Sequence, residues 1–118
     1  MPEIVNLTPH PLRLYGPDCP DRIDSVDAAP VNALYPASEK PVRLATIDLG
    51  RQTSFPPIDL VEYGYVHDLP AQRDGVWLVV PLVVALGARH RADLLAPYLE
   101  VRNAEGTVIG CRAFQRAV

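Results

Sequence analysis

The hydrophobic positions of this chain fall into short alternating runs separated by proline and glycine. Ile4, Val5 and Leu7 form a first β-rich run that Pro9 must interrupt, because proline has no N–H to give to a strand ladder. In the next run, His10 to Tyr15, Leu12 and Leu14 alternate with Pro11, Arg13 and Tyr15, the period of two expected of a strand with one buried face. From Gly16 to Lys40 the pattern dissolves into turn residues and recurrent prolines, which predicts a long loop with one helical turn around Val31 to Tyr35. A stretch of that length without secondary structure is uncommon in a compact domain and is usually functional or mobile.

Pro41 to Leu49 alternates again, and predicts a strand without saying which of its faces is inside. Gly50 to Pro57 reads as a loop. Ile58 to Tyr63 and Tyr65 to Leu69 are β-rich segments around Gly64, a placement that fits a bulge or a tight bend. After a polar turn, Val76 to Val80 is an unbroken apolar run containing Trp77, the pattern of a central strand. Pro81 suits the first position of a helix, and Leu82 to Arg89 supplies about two turns. Arg89, His90 and Arg91 then stand at or beyond its C-terminus, where cations complement the helix dipole. Leu99 to Arg102 and Thr107 to Phe114 flank Asn103-Ala104-Glu105-Gly106, turn chemistry that predicts a hairpin with Gly106 at positive φ. The expected fold is α+β, a single domain over residues 1–118 with about six mostly antiparallel strands, one short helix and a C-terminal β-hairpin.

Composition narrows the function classes. At 48% hydrophobic and 21% charged residues the chain has the make-up of a folded globular domain. A net charge of −3 speaks against general nucleic-acid binding, which draws on accumulated Lys and Arg. The longest apolar stretch, Val76 to Ala88, contains Pro81 and Gly87 and falls short of the ~20 residues that cross a bilayer, so no membrane span is expected. Cys19 and Cys111 lack metal-ligand spacing, so neither a metal nor a cofactor is expected. With no signal peptide at the start, the chain is read as cytoplasmic with free thiols.

Lys40 is the lone lysine beside ten arginines. Arginine's planar fork binds carboxylate and phosphate bidentately, so the positions of the arginines matter. In ARHRAD, Ala88 to Asp93, two arginines and His90 offer donors to an anion, with Asp93 orienting Arg91; the alternative is a helix end complemented by cations and an Arg91–Asp93 pair. Arg43, Arg102 and Arg112 lie on predicted strands and either share an anion or pair separately with acids such as Glu100 and Asp48. NLTPHPL, residues 6–12, is a stiff corner in which two prolines hold His10 extended and Asn6 and Thr8 bond to nearby backbone. Thr8 and His10 are candidate pocket groups there. The common hydrolase, nucleotide-loop and metalloprotease templates are absent, and the chain leans towards a non-enzyme, with His10 or His90 as the base if it is one.

NLTPHPLRLY, PASEKPVRL, YGYVHDLP, RADLLAP and VRNAEGTVIGCRAF, taken in this order, resemble a family of small uncharacterised phage, prophage and bacterial proteins with an N-terminal NLTPH motif and a C-terminal R[DN]xxG hairpin. The resemblance covers most of the chain except residues 16–36, and it singles out Asn6, Thr8, His10, Arg43, Arg91, Asp93, Arg102 and Gly106. Pro81 departs from it where the family has a serine, and His67-Asp68 departs where a small residue is usual. The expected function is that of a small binding protein, phage-derived, that takes an anionic small molecule such as a nucleotide signal into an Arg-lined pocket, with counter-defence sequestration as its use. Phosphate would fall to Arg43, Arg91, Arg102 and Arg112, and a polar group to Asn6, Thr8 and His10. A homo-oligomer is compatible with this reading. The alternatives are a histidine-dependent hydrolase or transferase and a protein–protein module acting on a host enzyme.

Overall fold

The computed structural model describes residues 3–118, apart from the side chains of Tyr63 and Tyr65. In chain order the elements are β1 (Glu3–Asn6), β2 (Leu12–Tyr15), β3 (Val31–Tyr35), β4 (Arg43–Gln52), β5 (Ile58–His67), β6 (Val76–Val79), α1 (Leu82–Gly87), β7 (Leu94–Arg102) and β8 (Val108–Gln115). Six strands form one sheet in the order β1-β6-β7-β8-β2-β3, and β4 and β5 form a separate two-stranded ribbon. The strand-rich α+β class holds, with no helix among the described residues long and apolar enough to cross a membrane.

Some expectations are corrected. Among the described residues there are eight strands, not about six. The pairing is mixed: β1–β6, β6–β7 and β2–β8 pair in parallel, the last through Leu14 and Cys111 alone, beside antiparallel β7–β8, β2–β3 and β4–β5. Parallel neighbours need a crossover, and residues 80–93 with α1 provide the one between β6 and β7. Val31 to Tyr35 is an edge strand rather than a helical turn. Pro30 and Pro36 bracket it, which an edge tolerates, and pairing of Leu12–Tyr15 with Tyr35–Val31 extends it. Pro81 is the residue before the helix rather than its first member, with φ −58° and ψ 147°.

Alternation along the strands splits the core. On one face Leu78 and Val80 of the β6 run, with Leu94 and Ala96 of β7, pack against Val84, Ala85 and Ala88 of the helical segment and against Leu7 and Val42. On the other face Val79, Leu12 and Cys111 cluster with Ile4, Leu14, Tyr35, Leu95 and Phe114. Ile4 belongs to β1 and Tyr35 to β3, the two ends of the strand order, so the sheet curls until its edges approach one another around this second cluster. A third cluster, Tyr15, Cys19, Ile23 and Val101, fastens the segment 16–30 to the sheet. Both thiols are buried and unbridged.

Two backbone details shape the terminal hairpin and the ribbon. The terminal hairpin forms as its turn chemistry predicts: Asn103 Oδ1 accepts the N–H groups of Glu105 (3.0 Å) and Thr107 (2.9 Å), and Gly106 has φ +82°. In the ribbon, Leu44 faces Val66 while Thr46 faces Tyr63, so residues 64 and 65 together oppose Ala45, a bulge at the glycine where one was expected. The base of the ribbon joins the core through Leu44 and Val66. Its distal part stands clear of the body, and the radius of gyration is 16.6 Å where a compact chain of this length has about 13–14 Å.

Candidate functional site

Asn6 is buried at the end of β1. Its amide nitrogen donates towards the carbonyls of His10 (2.9 Å), Pro36 (3.1 Å) and Tyr35 (3.3 Å), and its Oδ1 accepts the Thr8 N–H (3.0 Å) and hydroxyl (2.7 Å). One side chain thereby clasps the corner to itself and bridges from β1 to β3, the two edges of the curled sheet. Thr8 is occupied in the same lattice of bonds, and its carbonyl accepts the Ser38 N–H at 2.9 Å. His10 projects from this corner as an exposed residue. It borders a cavity of about 350 Å³ walled by Pro9, Pro11, Pro81 and Pro97. Asn6 is thus an inward structural group, while Thr8, half-buried with its hydroxyl bonded, lines the same cavity as the exposed His10.

The arginines singled out in the sequence are held apart. Arg91 grips Asp93 through Nε (2.9 Å) and Nη2 (2.7 Å) and also donates to the Pro70 carbonyl at 2.9 Å. This bonded guanidinium holds the Asp93 carboxyl below the usual carboxylate range, against the opposing effect of burial. Arg102 donates to the Gly106 carbonyl (2.8 Å) and pairs with Glu100 at 3.2 Å. Arg112 reaches across to the 16–30 segment, bonding the Cys19 carbonyl at 2.7 Å and the Asp21 carboxylate. Arg43 opens β4, opposite His67 and exposed. None of these four lines any of the four principal cavities. Arg91, Arg102 and Arg112 hold a strand connection, a turn and a loop in place.

A different pair of arginines does share a cavity. The turn at residues 72–75, the start of β6 and the C-terminal tail enclose about 290 Å³, lined by Arg73, Asp74, Trp77 and Arg116, with Asp93 at its wall. Neither Arg73 nor Arg116 forms an ion pair among the described residues. Asp93 is already neutralised by Arg91, so the cavity combines two uncommitted guanidinium groups, one aromatic ring and one free carboxylate, Asp74. Sequence reasoning passed over these residues because Arg73 sits in an ordinary polar turn and Arg116 in a tail about 40 positions away; Trp77, read there as a core residue, is in fact half-buried.

The remaining chemistry is muted. Burial pushes the Cys111 thiol up, which makes it a poor nucleophile at neutral pH. The largest cavity, about 520 Å³ beneath the 16–30 segment, is walled mainly by proline, alanine and glycine with Asp18 and Asn32. No group of three or more His, Cys, Asp or Glu among the described residues could hold a metal ion. Comparison with family models, with curated proteins and with solved structures finds no match to this chain.

Proposed function

We propose that the protein is a small non-enzymatic binding protein that takes an anionic, ring-bearing small molecule, of the nucleotide class, into the cavity between Arg73, Trp77 and Arg116. The observation that carries this reading is the pair of arginines without acidic partners on the rim of a cavity that also presents a tryptophan. An unpaired guanidinium fork is matched to phosphate, and a tryptophan face gives a planar base a surface to stack on. At about 290 Å³ the space is at the lower end for small-molecule sites, which favours a single nucleotide unit over a larger ligand. Asp74 supplies an acceptor for an amino or hydroxyl group. In the phage-type setting suggested by the NLTPH and hairpin motifs, such a protein would sequester a nucleotide signal.

Trp77 is the single tryptophan of the chain, so its emission reports directly on the site. A nucleotide panel should contain a member that changes the emission saturably. Arg73→Ala and Arg116→Ala should each weaken that member by roughly tenfold or more, the loss of one charge-assisted contact, while Arg102→Ala leaves it unchanged. Heat denaturation should return the ligand chemically intact. Recovery of a product would instead establish the hydrolase or transferase reading, and absence of any saturable response would sink the small-molecule reading altogether.

A further inference from the structure

The β4–β5 ribbon carries an apolar face that the body does not cover. Ile47 (46% exposed), Leu49 (58%), Ile58 (45%) and Leu60 (56%) project from it, and Phe55 at the tip is 94% exposed. The bulge at residues 64 and 65 fixes which side chains fall together: a Cβ on Gly64 would lie 3.6 Å from Ile47 Cδ1, so Glu62, Leu60 and Ile58, at steps of two along β5, share Ile47's side. Both outer edges of the ribbon are also unpaired, since β4 and β5 make up a sheet of their own. An isolated two-stranded ribbon is marginal in water unless its apolar face is buried.

We propose that this face packs against the same face of a second copy of the chain, related by a two-fold axis. The area suffices for a weak dimer. Ten residues of strand are about 33 Å long and the pair is roughly 10 Å across, so each face presents about 330 Å² in projection. The phenyl ring at the tip adds roughly 150–250 Å². Two copies together remove roughly 960–1,160 Å², close to the ~1,000 Å² a specific interface requires and within the weak, transient class below ~1,200 Å². Charge points to protein rather than lipid as the covering surface. By the same alternation the Arg51–Asp59 salt bridge and Asp48 fall on the opposite face of the ribbon, whereas Glu62 lies within the apolar stripe, opposite Ile47. A carboxylate in that position is an ordinary feature between proteins but is expensive to draw into a bilayer. With three acids and two arginines on the ribbon, two copies meet with little net repulsion. The modest area and the Glu62 interruption make the association reversible and concentration-dependent.

Sedimentation velocity of the full chain from low micromolar to several hundred micromolar tests this. The weight-average mass should rise from monomer to dimer, and Leu49→Lys with Leu60→Lys should hold the chain at monomer mass with an unchanged far-ultraviolet spectrum, both side chains being exposed in the single chain. Leu34→Lys, an exposed residue of β3 outside the ribbon, should dimerise as the parent does. Leu49→Cys should cross-link to a covalent dimer under mild oxidation, because the native thiols are buried. A monomer at every concentration overturns the proposal, and co-flotation of that monomer with neutral lipid vesicles would assign the face to a membrane instead. A dimer that survives the double lysine substitution overturns it as well.

Discussion

Replacing Asn6 by aspartate exchanges one NH₂ group for an oxygen and changes almost nothing in volume. The three carbonyls of His10, Tyr35 and Pro36, at 2.9, 3.3 and 3.1 Å, then face an acceptor instead of a donor. Loss of the two protons that Asn6 distributes among them removes about two net hydrogen bonds, or about 1–3 kcal/mol. The carboxylate is in addition buried among carbonyl dipoles, which raises its folded pKa above the unfolded value near 3.9, each unit adding about 1.4 kcal/mol at neutral pH. A total of about 4 kcal/mol moves the urea midpoint down by roughly 2 M for a slope of about 2 kcal/mol/M. The sign in pH follows from linkage. The charge-dependent part is present in full above the folded pKa, shrinks as pH falls through it, and is gone below about pH 4, where the acid is neutral in both states. Asn6→Ala loses the bonds but gains no charge, so it should cost about 2–3 kcal/mol with no such dependence. Urea unfolding followed by Trp77 emission, at neutral and at mildly acid pH, measures both. If Asn6→Asp unfolds at the parent midpoint, or if the two variants shift in parallel at both pH values, the clasp between the sheet edges is not what holds them.

Three further outcomes are expected. Arg91→Ala leaves the Asp93 carboxylate buried without its partner and should cost about 3 kcal/mol at neutral pH. Because the folded pKa of Asp93 is depressed, the pair's contribution is present above about pH 4 and lost as pH falls through that lower folded value, so acid titrations of Asp93→Asn and parent should converge at the acid end. Gly110→Ala should destabilise by about 3 kcal/mol in thermal or chemical unfolding, since its Cβ would lie 2.5 Å from the Arg13 carbonyl oxygen and 2.6 Å from the Tyr15 ring; a shift below about 0.5 kcal/mol would show that β2 and β8 can separate. Leu99, exposed with φ +55°, holds a left-handed backbone in mid-strand, so Leu99→Gly should be neutral or stabilising by up to about 1 kcal/mol in the same assays.

The parts of the fold that were legible in the sequence are those decided by neighbours along the chain. Asn103 and Gly106 set the hairpin because the turn's hydrogen bonds lie within five residues, and Gly64 marked its bulge because a missing side chain is visible in one letter. Val31 to Tyr35 was not legible as a strand: VNALY has little alternation, and pairing with Leu12 to Tyr15 overrides its local preference. The parallel pairings were hidden for the same reason, since Ile4 meets Trp77 across more than seventy positions. At the site, the spacing of Arg91 and Asp93 disclosed their pair, whereas Glu100 was one of two acids open to three arginines, and the structure pairs it with Arg102. The convergence of Arg73 with Arg116 depends on how the tail returns past β6, which no local pattern encodes. Alternation in the ribbon likewise announced strands without telling whether their apolar side would be covered.

The pairing of β1 with β6 also dictates an order of events during synthesis. The ribbon needs only residues 43–67 and closes on itself early, as local hairpins do. The N-terminal strand, in contrast, waits for residues 76–79 to emerge before it gains its ladder, and the last edge of the sheet is not clasped until the strands between are in place. For that interval the nascent chain displays its apolar ribbon, with both edges open, ahead of a body that has yet to form. Slower translation lengthens that interval and should therefore lower the soluble yield of this chain more than that of a helical protein of equal length, because the ribbon is uncovered throughout the wait.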